Sequence, residues 1–341
     1  MAQKYIDSMI HHKITTKLAT AKPNLSATIK KQKISFEKLA KLANVCSATV
    51  RAVLGGENIQ LAKAEEIAKA LGVAVSSVFE IKIETKYPTT STVAKHFRTL
   101  RAILSVAKKQ QIIKENYAKS EFVTQVKEKK KPIICLDDSD SHILAQGLWN
   151  EPDIRKKTSL LMLLQTGVRR GELCGLEWSD IDLEKSEMKI VRSSTAVAGM
   201  GVITKEPKTE TSAREIALPT SLVKQLEEYK AWWNNYTTLL GDRYDGCNRL
   251  FLQEDGKPLY PSTLRYWLKL TTQKLGLPDV NVHSLRHTNI TMQLIAGVPI
   301  KTVSVRAGHS STKVTADVYS HFIKSSDKEA ANKIEQLFGN N

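Results

Sequence analysis

The sequence predicts a mainly α-helical protein with a small antiparallel β-sheet. Apolar residues recur at helical spacing along most of the 341 residues, and polar caps and glycines separate these segments. Two short stretches, MKIVRSS and EIALP, read as strands instead. The run VKEKKKP is charged and ends in proline, as exposed linkers do. We therefore expect two domains, at 1–130 and 134–341, joined by a basic linker at 126–133.

The composition is typical of a soluble globular protein, with 41% apolar and 25% charged residues. No apolar run approaches the length of a membrane span, and the first residues lack the apolar centre of a signal peptide. The four cysteines are scattered without a CxxC pair. This pattern fits a reducing cytoplasm and argues against a zinc site.

The net charge of +16 is concentrated in the first part of the chain. Residues 1–130 contain 24 lysines and arginines against 10 acidic residues, whereas residues 131–341 contain 27 against 25. A solubilising surface does not require such asymmetry. A basic domain is the electrostatic footprint of a phosphate-backbone partner, so we expect the protein to bind nucleic acid.

The first domain begins with a helix predicted over the first twenty residues, closed by AKPNLS. The region 25–80 then predicts four short helices, of which the second, SATVRAVL, is capped by Ser47 and ends at a glycine pair. This arrangement resembles the repressor-type helix-turn-helix domain, with SATVRAVL in the recognition-helix position. We expect Arg51 on this helix to contact DNA. A plain helical bundle with Arg51 in solvent is the alternative.

A long amphipathic helix is predicted to start at Thr90 or Ser91, with one apolar face and one basic face. Such a helix can lie along DNA, although solvation alone would also explain the basic face. The residues expected to contact DNA from this helix and from the linker are Lys95, Arg98, Arg101, Lys129, Lys130 and Lys131.

The second domain is predicted to be helical around the strands MKIVRSS and EIALP, which VITKEPKTET connects as a loose hairpin. RLFLQEDGKPLYP is predicted to form a further strand and turn. The helical segments are DDSDSHILAQGLW, DIRKKTSLLMLLQTG, SLVKQLEEYKAWWNNYTTLLG, STLRYWLKLTTQKLG, SLRHTNITMQLIAG, PIKTVSVRAG, TKVTADVYSHF and SSDKEAANKIEQLFG.

Four stretches of this domain carry residues suited to chemistry on a phosphate. TGVRRGELCGLEWSDID places Arg169 after a glycine turn, with Glu172 one helical turn beyond it, where a carboxylate could hold the guanidinium in place. KEPKTETSAREIALP places Lys208 in the hairpin, from which a flexible ammonium can reach a substrate. HSLRH supplies His283 and Arg286, one turn apart.

The last stretch is AGHSSTKVTADVYSHF, which contains His309 and, ten residues later, Tyr319. Each of these residues taken alone has an ordinary structural explanation, but their order and context are specific. Together they resemble the motifs of tyrosine recombinases of the phage-integrase family, which are TGxR, a lysine in a hairpin, HxLRH, a GH dipeptide and a tyrosine before the C-terminal helix. The resemblance runs from about residue 133 to the end.

The first domain extends the resemblance. FRTLRAILSVAKKQQIIKEN resembles the closing helices of that family's core-binding domain. The helix-turn-helix-like segment and LLQTGVRRGELCGLEWSDID together resemble integrases of bacterial conjugative transposons. Those integrases usually carry an arm-binding domain ahead of the core-binding domain, whereas about twenty residues precede the helix-turn-helix-like unit here.

The resemblance implies a site-specific DNA recombinase that integrates and excises a mobile element through a 3′-phosphotyrosyl intermediate and a Holliday junction. It implies no cofactor and no metal. The implied partners are double-stranded DNA attachment sites, a homo-tetramer that exchanges the C-terminal helix 325–341, and an excisionase. The implied roles are nucleophile for Tyr319, phosphate clamp for Arg169 and Arg286, general acid for Lys208, acid/base for His283, phosphate hydrogen bonding for His309, and support of Arg169 for Glu172.

The residue types fit this reaction on physical grounds. Attack on a phosphodiester builds negative charge on two non-bridging oxygens, and arginine supplies a planar fork that stays protonated. A tyrosine hydroxyl, with an ordinary pKa of about 10, needs a proton acceptor or nearby cations before it attacks. Two other functions remain possible at this point: DNA relaxation or end resolution of the type IB topoisomerase kind, and a non-catalytic helix-turn-helix regulator.

Overall fold

The protein is described by a computed structural model, over residues 2–119, 123–124, 134–197, 200–205, 213–316 and 327–338. The chain forms two compact units, Met1–Lys131 and Pro132–Asn341. Helices dominate both units, and the second unit contains small antiparallel sheets, as the sequence predicts; the three-stranded sheet of the first unit was not predicted. Among the described helices, none combines the length and the apolar character that crossing a membrane requires.

The first unit contains α1 Ala2–His11, β1 Ile14–Ala21, α2 Pro23–Lys31, α3 Phe36–Leu42, α4 Ser47–Leu54, β2 Ile59–Gln60, α5 Leu61–Ala70, α6 Val75–Val78, β3 Phe79–Lys86 and α7 Thr90–Lys109. The four short helices predicted within 25–80 correspond to α3, α4, α5 and α6. Their core is formed by buried residues that include Leu39, Val50, Val53, Ile67 and Val78.

The prediction of a single helix over the first twenty residues is wrong. The helix ends at His11, and β1 follows it and pairs with β3 along its whole length, from Ile14 opposite Lys86 to Ala21 opposite Phe79. The paired residues lie between 58 and 72 positions apart in the chain, so this pairing is decided by tertiary contacts and not by local propensity. The resulting three-stranded sheet has the order β2-β1-β3.

The turn between α3 and α4 contains a residue in the left-handed conformation. Asn44 has a φ of 49°, in the left-handed region that asparagine tolerates better than most residues. Ser35 caps α3 by accepting a hydrogen bond from the Lys38 amide. Ser47 is the first residue of α4 rather than the residue before it, a shift of one position from the prediction.

Helix α7 begins where predicted, with Thr89 as its cap, and buries Val93 and Phe97. The side chain of Arg101 on this helix contacts other residues of the first unit. Its Nε donates to the Ala118 carbonyl at 3.0 Å, and its guanidinium lies 5.7 Å from the centre of the Phe97 ring.

The second unit contains α8 Asp138–Trp149, α9 Ile154–Thr166, α10 Arg170–Gly175, β4 Ile181–Asp182, β5 Glu187–Ile190, β6 Ser193–Val197, β7 Gly201–Lys205, β8 Arg214–Ala217, α11 Thr220–Leu240, α12 Pro261–Lys274, α13 Val282–Ile295, α14 Ile300–Ala307 and α15 Asp327–Phe338. Helix α9 is the centre of this unit and contacts α8, α11, α12 and α13. Asp153 caps it by accepting from two backbone amides.

The strands of the second unit form two sheets, one of order β4-β5-β8 and one that pairs β6 with β7. Strands β5 and β8 lie where MKIVRSS and EIALP were predicted to be strands. The region RLFLQEDGKPLYP forms turns and two isolated bridges, Glu177 to Arg249 and Leu252 to Pro258, instead of the predicted strand. Its Leu250, Phe251 and Leu252 are buried in the core. Separate backbone bonds replace a continuous ladder: the Leu250 amide donates to the Leu176 carbonyl at 2.8 Å, and the Leu259 amide donates to the Phe251 carbonyl at 3.0 Å.

Candidate active site

The turn between α9 and α10 fixes the position of Arg169. Gly167 ends α9 with a φ of 66°, and a Cβ at this position would lie 2.5 Å from Oδ1 of Asn289. Only glycine fits both the backbone conformation and this close approach. Arg169 is then the residue immediately before α10, as the sequence predicts from its glycine turn.

Arg169 is held by Glu172, one turn further along α10. Its Nη1 donates to Glu172 Oε1 at 2.8 Å, and its backbone amide donates to Oε2 at 2.9 Å. Arg214 of β8 uses the same carboxylate, with Nη2 2.8 Å from Oε2 and Nη1 3.3 Å from Oε1. Burial opposes the charge on Glu172, but the hydrogen bonds and charges of Arg214 and Arg169 outweigh it and hold its pKa below the usual value.

Arg286 lies on α13, which begins at Asn281. The Asn281 side chain accepts from the amides of His283 and Ser284 and so caps this helix. Arg286 is 2% exposed, and its Nη1 donates to the Gly167 carbonyl at 2.8 Å. The two arginines of the predicted phosphate clamp are therefore both anchored at the α9–α10 turn.

Three consecutive backbone carbonyls at the end of α14 each accept a hydrogen bond from a different arginine side chain. Arg214 Nε donates to the carbonyl of Arg306 at 2.8 Å, Arg286 Nη2 donates to that of Ala307, and Arg169 Nη2 donates to that of Gly308 at 2.9 Å. The last carbonyls of a helix lack partners within the helix and carry its negative dipole end, which favours cations. This helix end therefore brings the arginines of three separate segments together.

The two predicted site histidines lie beside these arginines. His309 follows the end of α14, and its Nδ1 lies 2.8 Å from Thr315 Oγ1. Desolvation and the charges of Arg286 and Arg169 lower the pKa of His309 to about 4, and the same causes lower the pKa of His283. The rings of His283 and His287 meet edge to face at 4.5 Å, and desolvation and neighbouring charges lower the pKa of His287 to about 4.

A cleft of about 370 Å³ opens beside Arg169. It is lined by Val168, Arg169, Arg170, Gly171, Arg265, Asn281, Val282 and His283. Arg170 and Arg265 are exposed, and neither makes an ion pair with another described residue. The sequence did not single out Arg265, which stands on the exposed face of α12.

Several of the predicted site residues lie outside the described residues. These are Tyr319, Lys208, Lys129, Lys130 and Lys131, together with the side chain of Arg51. The structure therefore brings together Arg169, Glu172, Arg286, His283 and His309. Across the described ranges, no group of three or more His, Cys, Asp or Glu residues is placed to hold a metal ion.

Arg214 is not among the site residues that the sequence analysis predicts, although the pattern of its strand indicates that it is buried. In the strand REIA, alternate residues face the same side, and Ile216 is buried in the core. Arg214 shares the face of Ile216, so the pattern places a charge on the core side of a strand. A buried charge needs a partner, which is a reason to search for one.

Known proteins resemble this chain in sequence and in fold. Residues 139–325 match the family model described as the phage integrase family. The chain is 33% identical over 195 residues to a tyrosine recombinase XerC-like protein of Caldanaerobacter subterraneus subsp. tengcongensis, covering 54% of this chain and 50% of that protein. It is 31% identical over 184 residues to the ICEBs1 integrase of Bacillus subtilis, covering 53% and 49%. The chain thus spans about half the length of these curated relatives.

Among solved structures, the Tn1549 transposon integrase in complex with transposon right end DNA aligns with a TM-score of 0.60 at 21% identity. The alignment covers 92% of this chain and 98% of that chain. The XerH site-specific recombinase, bound to its palindromic difH substrate, aligns with a TM-score of 0.53 at 16% identity, covering 97% and 92%. These likenesses establish the fold.

Proposed function

Because the chain belongs to the phage integrase family, we propose that it is a tyrosine recombinase that breaks and rejoins double-stranded DNA at specific attachment sites. Its reaction would integrate and excise a mobile element. The observation that carries the proposal is the convergence of Arg169 and Arg286 on consecutive carbonyls, Gly308 and Ala307, immediately before His309.

The two arginines are suited to bind the non-bridging oxygens of the scissile phosphate. Arg169 is 43% exposed and lines the cleft, so part of its guanidinium is open to a substrate. Glu172 offsets part of the charge of Arg169, whereas the carbonyls of Gly308 and Ala307 that accept from Arg169 and Arg286 carry no formal charge and leave positive charge available for a phosphate. Fixed donors of this kind stabilise the charge that develops in the transition state without reorganisation.

Tyr319 would attack the phosphorus, forming a bond from its Oη while the bond to the 5′ oxygen breaks. The result is a 3′-phosphotyrosyl ester and a free 5′ hydroxyl. The lowered pKa of His283 leaves it neutral at pH 7 and able to accept the tyrosine proton. Lys208 would donate the proton that the 5′ oxygen requires, and His309 would hydrogen-bond the phosphate. The reverse attack by a 5′ hydroxyl of another strand rejoins the DNA without ATP, because the ester conserves the bond energy.

The partners belong to the same proposal. The first unit would act as the core-binding domain and would contact DNA through α4 and through Lys95 and Arg98, which are exposed on α7. The linker lysines 129–131 would neutralise further phosphates. Arg101 is committed to Ala118 and Phe97 within the unit and is the weakest of the DNA-contact predictions. Such an enzyme would act in the cytoplasm.

Helix α15 supports the proposal of a homo-tetramer on DNA. Its Ile334, Leu337 and Phe338 are exposed, with Phe338 80% accessible. These apolar side chains are suited to dock on a neighbouring protomer, which would couple the active sites of the assembly. An excisionase would assist the reverse reaction.

A suicide DNA substrate tests the chemistry. The DNA carries an attachment site with a nick next to the cleavage position, so that the short 5′-hydroxyl fragment diffuses away and the covalent intermediate accumulates. We expect the wild-type protein to form an adduct that survives denaturation. Tyr319→Phe should bind the same DNA with unchanged affinity and form none. An adduct that persists in Tyr319→Phe would refute the assignment of the nucleophile.

A second assay separates recombination from related reactions. Two differently marked attachment-site duplexes are mixed with the wild-type protein, and recombinant joint molecules are measured together with relaxation of supercoiled plasmid. We expect joint molecules. Relaxation without joint molecules would instead favour a type IB topoisomerase-like activity, and specific binding without any adduct would favour a DNA-binding regulator.

A further inference from the structure

We propose that Arg214 is a positioning residue for DNA cleavage, because it holds Glu172 and the last turn of α14 in the arrangement that orients Arg169. The inference rests on the proposed function above. Arg214 itself would not touch DNA: its side chain is 4% exposed, whereas that of Arg169 is 43% exposed.

The contacts of Arg214 join three segments of the second unit. From β8, its two terminal nitrogens lie 2.8 and 3.3 Å from the two oxygens of Glu172 on α10. Its Nε donates to the Arg306 carbonyl at the end of α14 at 2.8 Å. A Cβ on Gly308 would lie 2.7 Å from Nη1 of Arg214, so the guanidinium fills the space against this glycine.

Arg169 depends on the same two segments. Its Nη1 and its backbone amide both bond to Glu172, and its Nη2 bonds to the Gly308 carbonyl. The Arg169 guanidinium is therefore held by Glu172, which Arg214 also bonds, and by the carbonyl of Gly308, against which Arg214 packs. A movement of either group would turn the Arg169 guanidinium relative to the cleft, and small misplacements of a catalytic group are costly in rate.

A planar fork suits this task better than a point charge. The guanidinium engages both carboxylate oxygens of Glu172 at once and so fixes the plane of the carboxylate. Lysine can supply the charge at this position but cannot supply the fork. Removing the charge altogether takes one of its two arginine partners from the buried Glu172 carboxylate, which raises the pKa of Glu172 and loosens its hold on Arg169.

The test compares four variants on the suicide substrate: Arg214→Met, Arg214→Lys, Glu172→Gln with Arg214→Met, and Glu172→Gln alone. Arg243→Met removes an exposed arginine and is the control. At saturating protein, we expect Arg214→Met to slow adduct formation by about 10 to 100-fold, with the DNA dissociation constant changed less than about threefold. Arg214→Lys should recover part of the rate, and Arg243→Met should match the wild type.

The Glu172→Gln background separates positioning from a structural role. Arg214→Met should slow the Glu172→Gln protein by a smaller factor than it slows the wild type, because the charged contact with Glu172 is already lost and only the bond to the Arg306 carbonyl remains to be removed. This double variant also leaves no unpaired carboxylate, so it remains informative if Arg214→Met alone does not fold. An equal loss of rate in both backgrounds would overturn the inference, as would a wild-type rate in Arg214→Met.

A readout independent of DNA keeps this inference distinct from the proposed function. The Glu172 carboxyl is followed by carbon-13 NMR during acid titration of folded wild type and Arg214→Lys. The facing charges are Arg169, immediately before α10, and Arg214 from β8; the end of α14 contributes carbonyls, and His309 just beyond it gains its proton in the same acid range in both proteins. We expect Glu172 to titrate at higher pH in Arg214→Lys, and an unchanged titration would overturn the inference. A wild-type protein without any adduct would refute the proposed function while this measurement still tests Arg214.

Discussion

Replacing Gly308 by alanine tests whether the close packing at the end of α14 holds the arginines in place. Gly308 has a φ of 66°, and an added Cβ would lie 2.7 Å from Nη1 and 2.8 Å from Cζ of Arg214. The guanidinium cannot swing aside, because it is buried and bonded to Glu172 and to the Arg306 carbonyl. The methyl group must therefore move either Arg214 or the backbone of the turn.

Gly297 is a matched control for the backbone part of this cost. It has a φ of 78°, and a Cβ there would meet no atom within 4 Å. Gly297→Ala should cost only the left-handed conformation, roughly 1–2 kcal/mol of unfolding free energy. Gly308→Ala carries the same backbone cost and an overpacking cost of about 1–3 kcal/mol in addition. We therefore expect Gly308→Ala to be the less stable variant by about 1–3 kcal/mol.

Tryptophan fluorescence during denaturant unfolding measures this difference, because all five tryptophans lie in the second unit. The rate of adduct formation on the suicide substrate is measured in parallel. It should fall more in Gly308→Ala than in Gly297→Ala, because the carbonyl of Gly308 orients Arg169. Equal unfolding free energies in the two variants, within experimental error, would refute the reasoning that Arg214 fills the space against Gly308.

Two further predictions follow from the charges of the site. The cleft is expected to bind phosphates, so Arg170→Gln and Arg265→Gln should each weaken DNA binding and make the fall of log affinity with log salt less steep by about 1. The exposed Arg243→Gln is the control. An equal slope in all three variants would contradict a phosphate contact. His287 and His309, with pKa values of about 4 in the folded protein against an ordinary 6.5, bind fewer protons folded than unfolded. The stability they contribute is present above pH 6.5 and is lost as the pH falls toward 4, so the unfolding free energy should decline over that window, and His309→Gln should make the decline shallower.

The sequence predicts the helical elements of both units because their signals are local. Thr89 and Asp153 are side-chain caps, and Gly167 and Gly308 end helices in left-handed conformations. Each of these residues acts within one turn of its own position. No local signal indicates the pairing of β1 with β3, because β1 is extended only through its hydrogen bonds to a strand that is distant in the sequence.

In the site, as in the fold, the sequence predicts contacts between neighbouring residues and does not predict contacts between distant ones. The contact of Arg169 with Glu172 follows from helical spacing alone, and the structure contains it. The bonds of Arg169, Arg214 and Arg286 to the end of α14 join residues far apart in the chain. Backbone carbonyls are present at every residue, so no residue pattern indicates which of them will serve as acceptors.

The choice of carbonyls as acceptors has an electrostatic consequence for the proposed reaction. Of the three guanidinium groups that bond to the end of α14, those of Arg169 and Arg214 also pair with the carboxylate of Glu172, and all three donate to uncharged backbone carbonyls. Had each arginine been oriented by its own carboxylate, the cluster would be neutral and would not attract a phosphate. The carbonyls orient the guanidinium groups without cancelling their charge, and the lowered pKa of His309 keeps this histidine uncharged at pH 7.

Because carbonyls carry no formal charge, these bonds to the end of α14 leave the positive charge of the guanidinium groups in place. A DNA phosphodiester carries one negative charge, and a second one develops on its non-bridging oxygens as the tyrosine attacks. Positive charge held in fixed positions therefore attracts the doubly charged transition state more strongly than the singly charged bound substrate, which is the condition for accelerating the chemical step.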